Sequence, residues 1–81
     1  MRKWNVVGFK NVNYKSKKTG QQVEGYNLYL TAAGETPDIE GEECKDIFIS
    51  RRSCAYDPLV GDVINIIYNE RGYVDNVVSV L

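Results

Sequence analysis

Polar and apolar residues alternate along most of this chain, and nowhere does a 3.6-residue period persist over the ten or more positions a helix requires. β-branched and aromatic residues fill the alternating stretches, and Gly, Pro, Asn and Asp separate them, so the pattern predicts strands joined by turns. The first strand covers residues 3–12 (KWNVVGFKNV), with Gly8 in mid-strand as a bulge or bend. The second covers residues 22–32 (QVEGYNLYLTA). Between them the basic segment 14–21 (YKSKKTGQ) turns at Thr19-Gly20, which makes the pair a long hairpin with a basic tip. Residues 33–43 (AGETPDIEGEE) are a loop, with Gly34, Pro37 and Gly41 among dense acids. A third strand follows at 45–50 (KDIFIS). The connection 51–58 (RRSCAYDP) has room for one helical turn, which Pro58 ends. Val60-Gly61-Asp62 then turns into a fourth strand at 63–68, and Asn69-Glu70-Arg71-Gly72 turns into a fifth at 73–81.

Five strands, the first two long and hairpin-linked, with a possible helical turn between the third and fourth, predict an all-β fold: a small five-stranded OB-like barrel with a long basic hairpin. An SH3-like barrel is the runner-up. At 81 residues the chain is a single domain, 1–81. A domain of this size buries only about 60% of its unfolded surface, so its core is thin and open to reinforcement by dimerisation or a ligand. A composition of 43% hydrophobic and 26% charged residues argues against disorder. The longest apolar stretch, 63–68, is interrupted by Asn65, against roughly 20 residues for a membrane-crossing helix. Met1-Arg2-Lys3-Trp4-Asn5 has no apolar signal core, from which we expect a cytoplasmic protein with no membrane partner. Cys44 and Cys54 are then expected reduced, as buried small hydrophobes.

The chain has no histidine and only two cysteines, which removes Ser-His-Asp and Cys-His machinery and ordinary zinc sites. The acidic residues Glu35, Asp38, Glu40, Glu42, Glu43 and Asp46 lack the spacing of a calcium loop. No enzyme activity, cofactor or metal is expected. The net charge of -1 hides a segregation along the chain. Arg2, Lys3, Lys10, Lys15, Lys17 and Lys18 face only Glu24 within residues 1–24, whereas residues 35–46 carry the six acids against Lys45. Fields of exposed charges fade over about 8 to 10 Å at physiological salt, so one face can attract phosphate while another repels it.

Single-stranded nucleic acid is bound without sequence preference by cations that follow the phosphates and by aromatic faces that stack on bases. Lys15, Lys17 and Lys18 at the hairpin tip, flanked by Tyr14 and Tyr26, fit that requirement, and Arg51, Arg52 and Arg71 are further phosphate candidates. In strand two, alternation sets Tyr26, Leu28 and Leu30 on one face and Asn27, Tyr29 and Thr31 on the other, and leaves open which ring is exposed. In strand three, Phe48 lies opposite Ile47 and Ile49 and is the better candidate for an exposed ring. RNA is a possible ligand as well as DNA. The alternative is a protein-interaction module or DNA-mimic inhibitor acting through Glu40, Glu42 and Glu43.

Residues 20–28 (GQQVEGYNL), preceded by the basic turn, resemble the DNA-binding hairpin of the filamentous-phage gene V single-stranded-DNA-binding proteins, in which a basic loop leads into a Tyr-Ser-Leu-like strand. An Ile-x-Ile strand, the segment Tyr56-Asp57-Pro58, a Val-Gly turn and a Val-rich closing hairpin follow in the same order, as in small gene V-like proteins of phages and conjugative elements. The resemblance implies an OB-fold homodimer that coats single-stranded DNA during replication or transfer. It implies Tyr26 and Leu28 at the DNA, Lys15, Lys17 and Lys18 near phosphates, and Phe48 and Tyr73 as further contacts. The acidic loop 35–46 departs from the pattern, and suggests a replication or transfer protein, such as a helicase or relaxase, as a partner there.

Overall fold

The computed structural model describes residues 2–34 and 37–80. Five antiparallel strands, β1 (Lys3–Lys15), β2 (Gln22–Ala32), β3 (Cys44–Ser50), β4 (Val63–Tyr68) and β5 (Val74–Ser79), form one sheet in the order β3-β2-β1-β4-β5. Within it β3-β2-β1-β4 is a Greek key, because β4 returns to lie beside β1. The sheet curls until β5 approaches β3, but the two do not hydrogen-bond. The result is a small, incompletely closed five-stranded barrel of the OB-like kind. Strand β1 runs three residues further than the alternation suggested, and β5 begins and ends inside the expected 73–81. The expected helical turn after β3 is one turn only, closed by the Cys54 N–H donating to the Ser50 carbonyl at 2.9 Å.

Side-chain period explains which residues fill the barrel. Val6, Leu28, Leu30 and Ile64 are at most 1% exposed, and Trp4, Ile47, Ile49, Cys54, Ile66 and Val77 complete the core. Full burial of an aliphatic side chain contributes about 1.5–3 kcal/mol, and among the described residues these ten form one buried cluster. Cys54 is buried as expected and its thiol donates to Asn76 Oδ1 at 3.4 Å. Cys44 is not: it opens the edge strand β3 on the outward side and is exposed.

The bulge lies where Gly8 suggested it. Val6 pairs with Leu30 and Gly8 with Tyr29, so Val7 has no partner on β2. The extra residue reverses the alternation of β1 beyond it. Trp4 and Val6 point inward before the bulge, whereas Lys10, Val12 and Tyr14 share the outward face of the hairpin after it. The hairpin continues past the barrel to its tip, and the molecule measures 44 × 27 × 23 Å. At the tip the Gly20 N–H donates to the Ser16 carbonyl and the Ser16 N–H to the Gln21 carbonyl, each at 2.8 Å, and Gly20 adopts φ +70°, which a Cβ would strain.

Candidate nucleic-acid interface

Pairing across three strands places the outward residues in rows. Lys10, Asn27 and Phe48 form one; Gly8, Tyr29 and Asp46 form the next; Val12, Gly25 and Ser50 lie on the other side of the first. Tyr29 and Phe48 are diagonal neighbours, about 7–8 Å apart by sheet geometry, and both are exposed, at 42% and 41%. Phe48 leans over Gly25: a Cβ built on Gly25 would stand 2.9 Å from the ring's Cζ and 2.0 Å from the Ile49 carbonyl oxygen. The absence of a side chain at Gly25 thus leaves room for the tip of the ring and lets β2 and β3 approach closely. Tyr14, 55% exposed and opposite Val23, continues the face toward the tip.

Lys15, Lys17 and Lys18 are all exposed at that tip, beyond Tyr14. From Tyr29 to Gln22, at the base of the tip, is seven residues, or roughly 23 Å of extended strand. The face therefore offers Tyr29 at one end, Phe48 and Lys10 in the next row, and Tyr14 with a cluster of three ammonium groups toward the other end. Asp46 is the acid among these rows, and it accepts a hydrogen bond from Asn27 Nδ2 at 3.3 Å.

Other expected contacts fall elsewhere. Leu28 is 0% exposed and belongs to the core, so it cannot touch a strand laid on the surface, contrary to the expectation carried by the resemblance. Tyr26 is on the same inward face and half-buried. Phe9 meets it edge-on with 5.9 Å between ring centroids, the Arg51 guanidinium lies 5.5 Å from its ring, and Arg51 donates to its hydroxyl at 2.8 Å. Its ring is thus engaged by protein on two sides, and Arg51 with it. Arg52 is exposed beside Arg51, at a shallow cleft it shares with Gln22, Glu24 and Ser50. Arg71 and Tyr73, the latter 68% exposed, sit in the β4–β5 turn, where Asn69 Oδ1 accepts from both of their backbone N–H groups at 2.9 and 3.0 Å.

Of the acidic residues, Glu35 lies outside the described residues, Asp38, Glu40 and Glu42 are exposed, and Glu43 forms an ion pair with Arg2. Among the described residues, no three His, Cys, Asp or Glu side chains gather in a metal-holding group. Lys10 was missed as a member of the face, which also carries Tyr14, expected only as a ring flanking the tip. Pairs counted outward from Lys18-Thr19, the centre of the tip, set Lys10 opposite Asn27 and Tyr14 opposite Val23, on the face of Phe48 and Tyr29. No family model, no curated protein and no solved structure matches this chain.

Proposed function

We propose that this chain is a non-catalytic single-stranded nucleic-acid-binding module of the gene V type, and that the strand lies along the outward face of β1, β2 and β3. The observation that carries this reading is the two exposed rings Tyr29 and Phe48, at diagonal positions on the same face as Lys10 and Tyr14, with three lysines where that face ends. Bases stack on the rings, at about 1 to 3 kcal/mol each, while the ammonium groups neutralise phosphates. Neither interaction reads base identity. As a working setting we take DNA replication or transfer of a phage or mobile element, in the cytoplasm and as a homodimer. The reading departs from the family expectation in its residues: Tyr29 and Phe48 take the part assigned there to Tyr26 and Leu28.

The test is the anisotropy of a fluorescently labelled oligo-dT titrated with the protein at low salt. Phe48→Ala and Tyr29→Ala should each weaken binding about tenfold, while Tyr26→Phe, which keeps the half-buried ring, should leave it within a factor of two or so. Absence of binding to dT and to mixed-sequence strands at low salt would overturn the reading in favour of a protein-interaction module acting through Glu40 and Glu42.

A further inference from the structure

Away from the outward face, the start of β3 and the end of β4 border a cleft of about 570 Å³, lined by Arg2, Trp4, Lys45, Ile66, Ile67 and Tyr68. The indole of Trp4, 5% exposed, forms the floor, and two cations lie over it: the Arg2 guanidinium carbon at 4.6 Å and Lys45 Nζ at 4.9 Å from the ring centroid. Lys45 Nζ is also 5.5 Å from the Tyr68 ring and donates to the Tyr68 hydroxyl at 2.8 Å.

The two cations are not equivalent. Arg2 is neutralised by Glu43, to which both of its terminal nitrogens donate. Among the described residues no carboxylate pairs with Lys45, and its ammonium carries three N–H donors. The cleft thus has one uncompensated positive charge, a phenol hydroxyl beside it and apolar walls from Ile66 and Ile67. Ligand sites in general combine an apolar lining with a few convergent polar groups, in volumes of about 300–1,000 Å³. A matching ligand carries a single phosphate joined to a flat, largely apolar body.

From this we infer that the cleft is a nucleotide subsite, with Lys45 and Tyr68 on the phosphate and the base against the Ile66–Ile67 wall. The choice of a nucleotide rests on the single-strand reading. Lys45 lies three residues along β3 from Phe48, roughly 10 Å, and β3 is an edge strand. A strand stacked on Phe48 reaches the cleft by passing around the Cys44 end of β3, one or two nucleotides further on.

Trp4 is the chain's one tryptophan and lies on the floor of the cleft, so its emission reports occupancy directly. The experiment titrates dTMP, thymidine and inorganic phosphate separately into the full chain. A saturable change in Trp4 emission is expected with dTMP, with thymidine and phosphate each about tenfold weaker or more, because each lacks half of the contacts. Lys45→Met keeps an unbranched apolar stem over Trp4 and removes the charge; it should abolish the dTMP response while leaving the melting temperature close to that of the unaltered chain. Phe48→Ala should leave the dTMP response intact. No saturable response to dTMP, or an equal response in Lys45→Met, overturns the subsite and reduces Arg2 and Lys45 to a cover over Trp4. If labelled oligo-dT still binds through Phe48 in that case, the subsite alone has failed; if oligo-dT binds nowhere, both readings have.

Discussion

Two residues decide where the rings of the proposed face point, Val7 through the backbone and Gly25 through the absence of a side chain. Val7 is the unpaired residue of the bulge, and by reversing the alternation of β1 it moves Phe9 inward onto Tyr26 and Lys10 and Tyr14 outward. Gly25 provides the room in which Phe48 lies against the sheet. A methyl group there meets a backbone carbonyl, which cannot swing aside as a side chain can, so β2 and β3 must separate. Forcing one carbon into such a contact costs about 1–3 kcal/mol, and in a domain of this size 1 kcal/mol moves the melting temperature by about 4–8 °C. Gly25→Ala should therefore lower the thermal midpoint by about 10 °C, measured by circular dichroism, and weaken oligo-dT binding as Phe48 is displaced. A midpoint unchanged within about 2 °C would mean that the strands absorb the methyl group and that the close approach does not matter.

At the scale of elements, the turn before β4 is tied to three others by one carboxylate. Asp62, 7% exposed, accepts from the Tyr56 hydroxyl at 2.6 Å, the Ser79 hydroxyl at 2.8 Å and the Val63 N–H at 2.9 Å, while its backbone carbonyl accepts from the Val6 N–H beside the bulge. The hydrogen bond from Tyr56, and next that from Ser79, hold its pKa below the ordinary value of 3.8. A carboxyl whose folded pKa is depressed contributes stability above its unfolded pKa and loses it as pH falls through the folded value. Tyr56 works at the opposite end of the scale. Its burial, and then its bond to Asp62, raise its pKa above the usual 10.0, so its contribution is present below pH 10 and is lost as pH rises through the higher folded value. Asp62→Asn should be less stable than the unaltered chain at pH 7, and the gap in melting temperature should close as pH falls below about 4. A gap that is constant down to pH 2 would show that the charge of Asp62 contributes nothing. The strands themselves were legible in the sequence because turn residues punctuate each one, and β2 and β4 fall where alternation puts them. The network of Asp62 was not, since it joins residues 6, 56, 62, 63 and 79, which only the Greek-key return of β4 brings together. The proposed binding face was half legible: Phe48 was readable from its own strand, whereas the choice between Tyr26 and Tyr29 depended on which side of β2 the barrel would cover.

For the whole molecule, the question raised by the net charge of -1 is whether the acidic loop cancels the attraction of the basic tip. Topology answers it. The tip lies at the Gln22 end of β2 and the acidic loop begins after its Ala32 end, so the length of an 11-residue strand separates them. That is roughly 33 Å at 3.3 Å per residue, about four Debye lengths at physiological ionic strength. Each end therefore presents its own sign to solvent, and the chain's overall charge describes neither. Single-strand binding weakens with salt by about 0.7 in log–log slope for each phosphate neutralised. Changing Lys15, Lys17 and Lys18 together to Ala should thus lower the slope for oligo-dT by about 2, while leaving the stacking contribution of Tyr29 and Phe48 in place at low salt. Changing Asp38, Glu40 and Glu42 to their amides should leave that slope unaltered at 0.15 M salt, where the screening length is about 8 Å, and strengthen binding only near 0.01 M, where it grows to about 30 Å. Oligo-dT titrations over that range separate the possibilities. An equal effect of the acidic substitutions at both salt concentrations would mean that the strand reaches the loop itself, and a slope untouched by the lysine changes would remove the tip from the path of the phosphates.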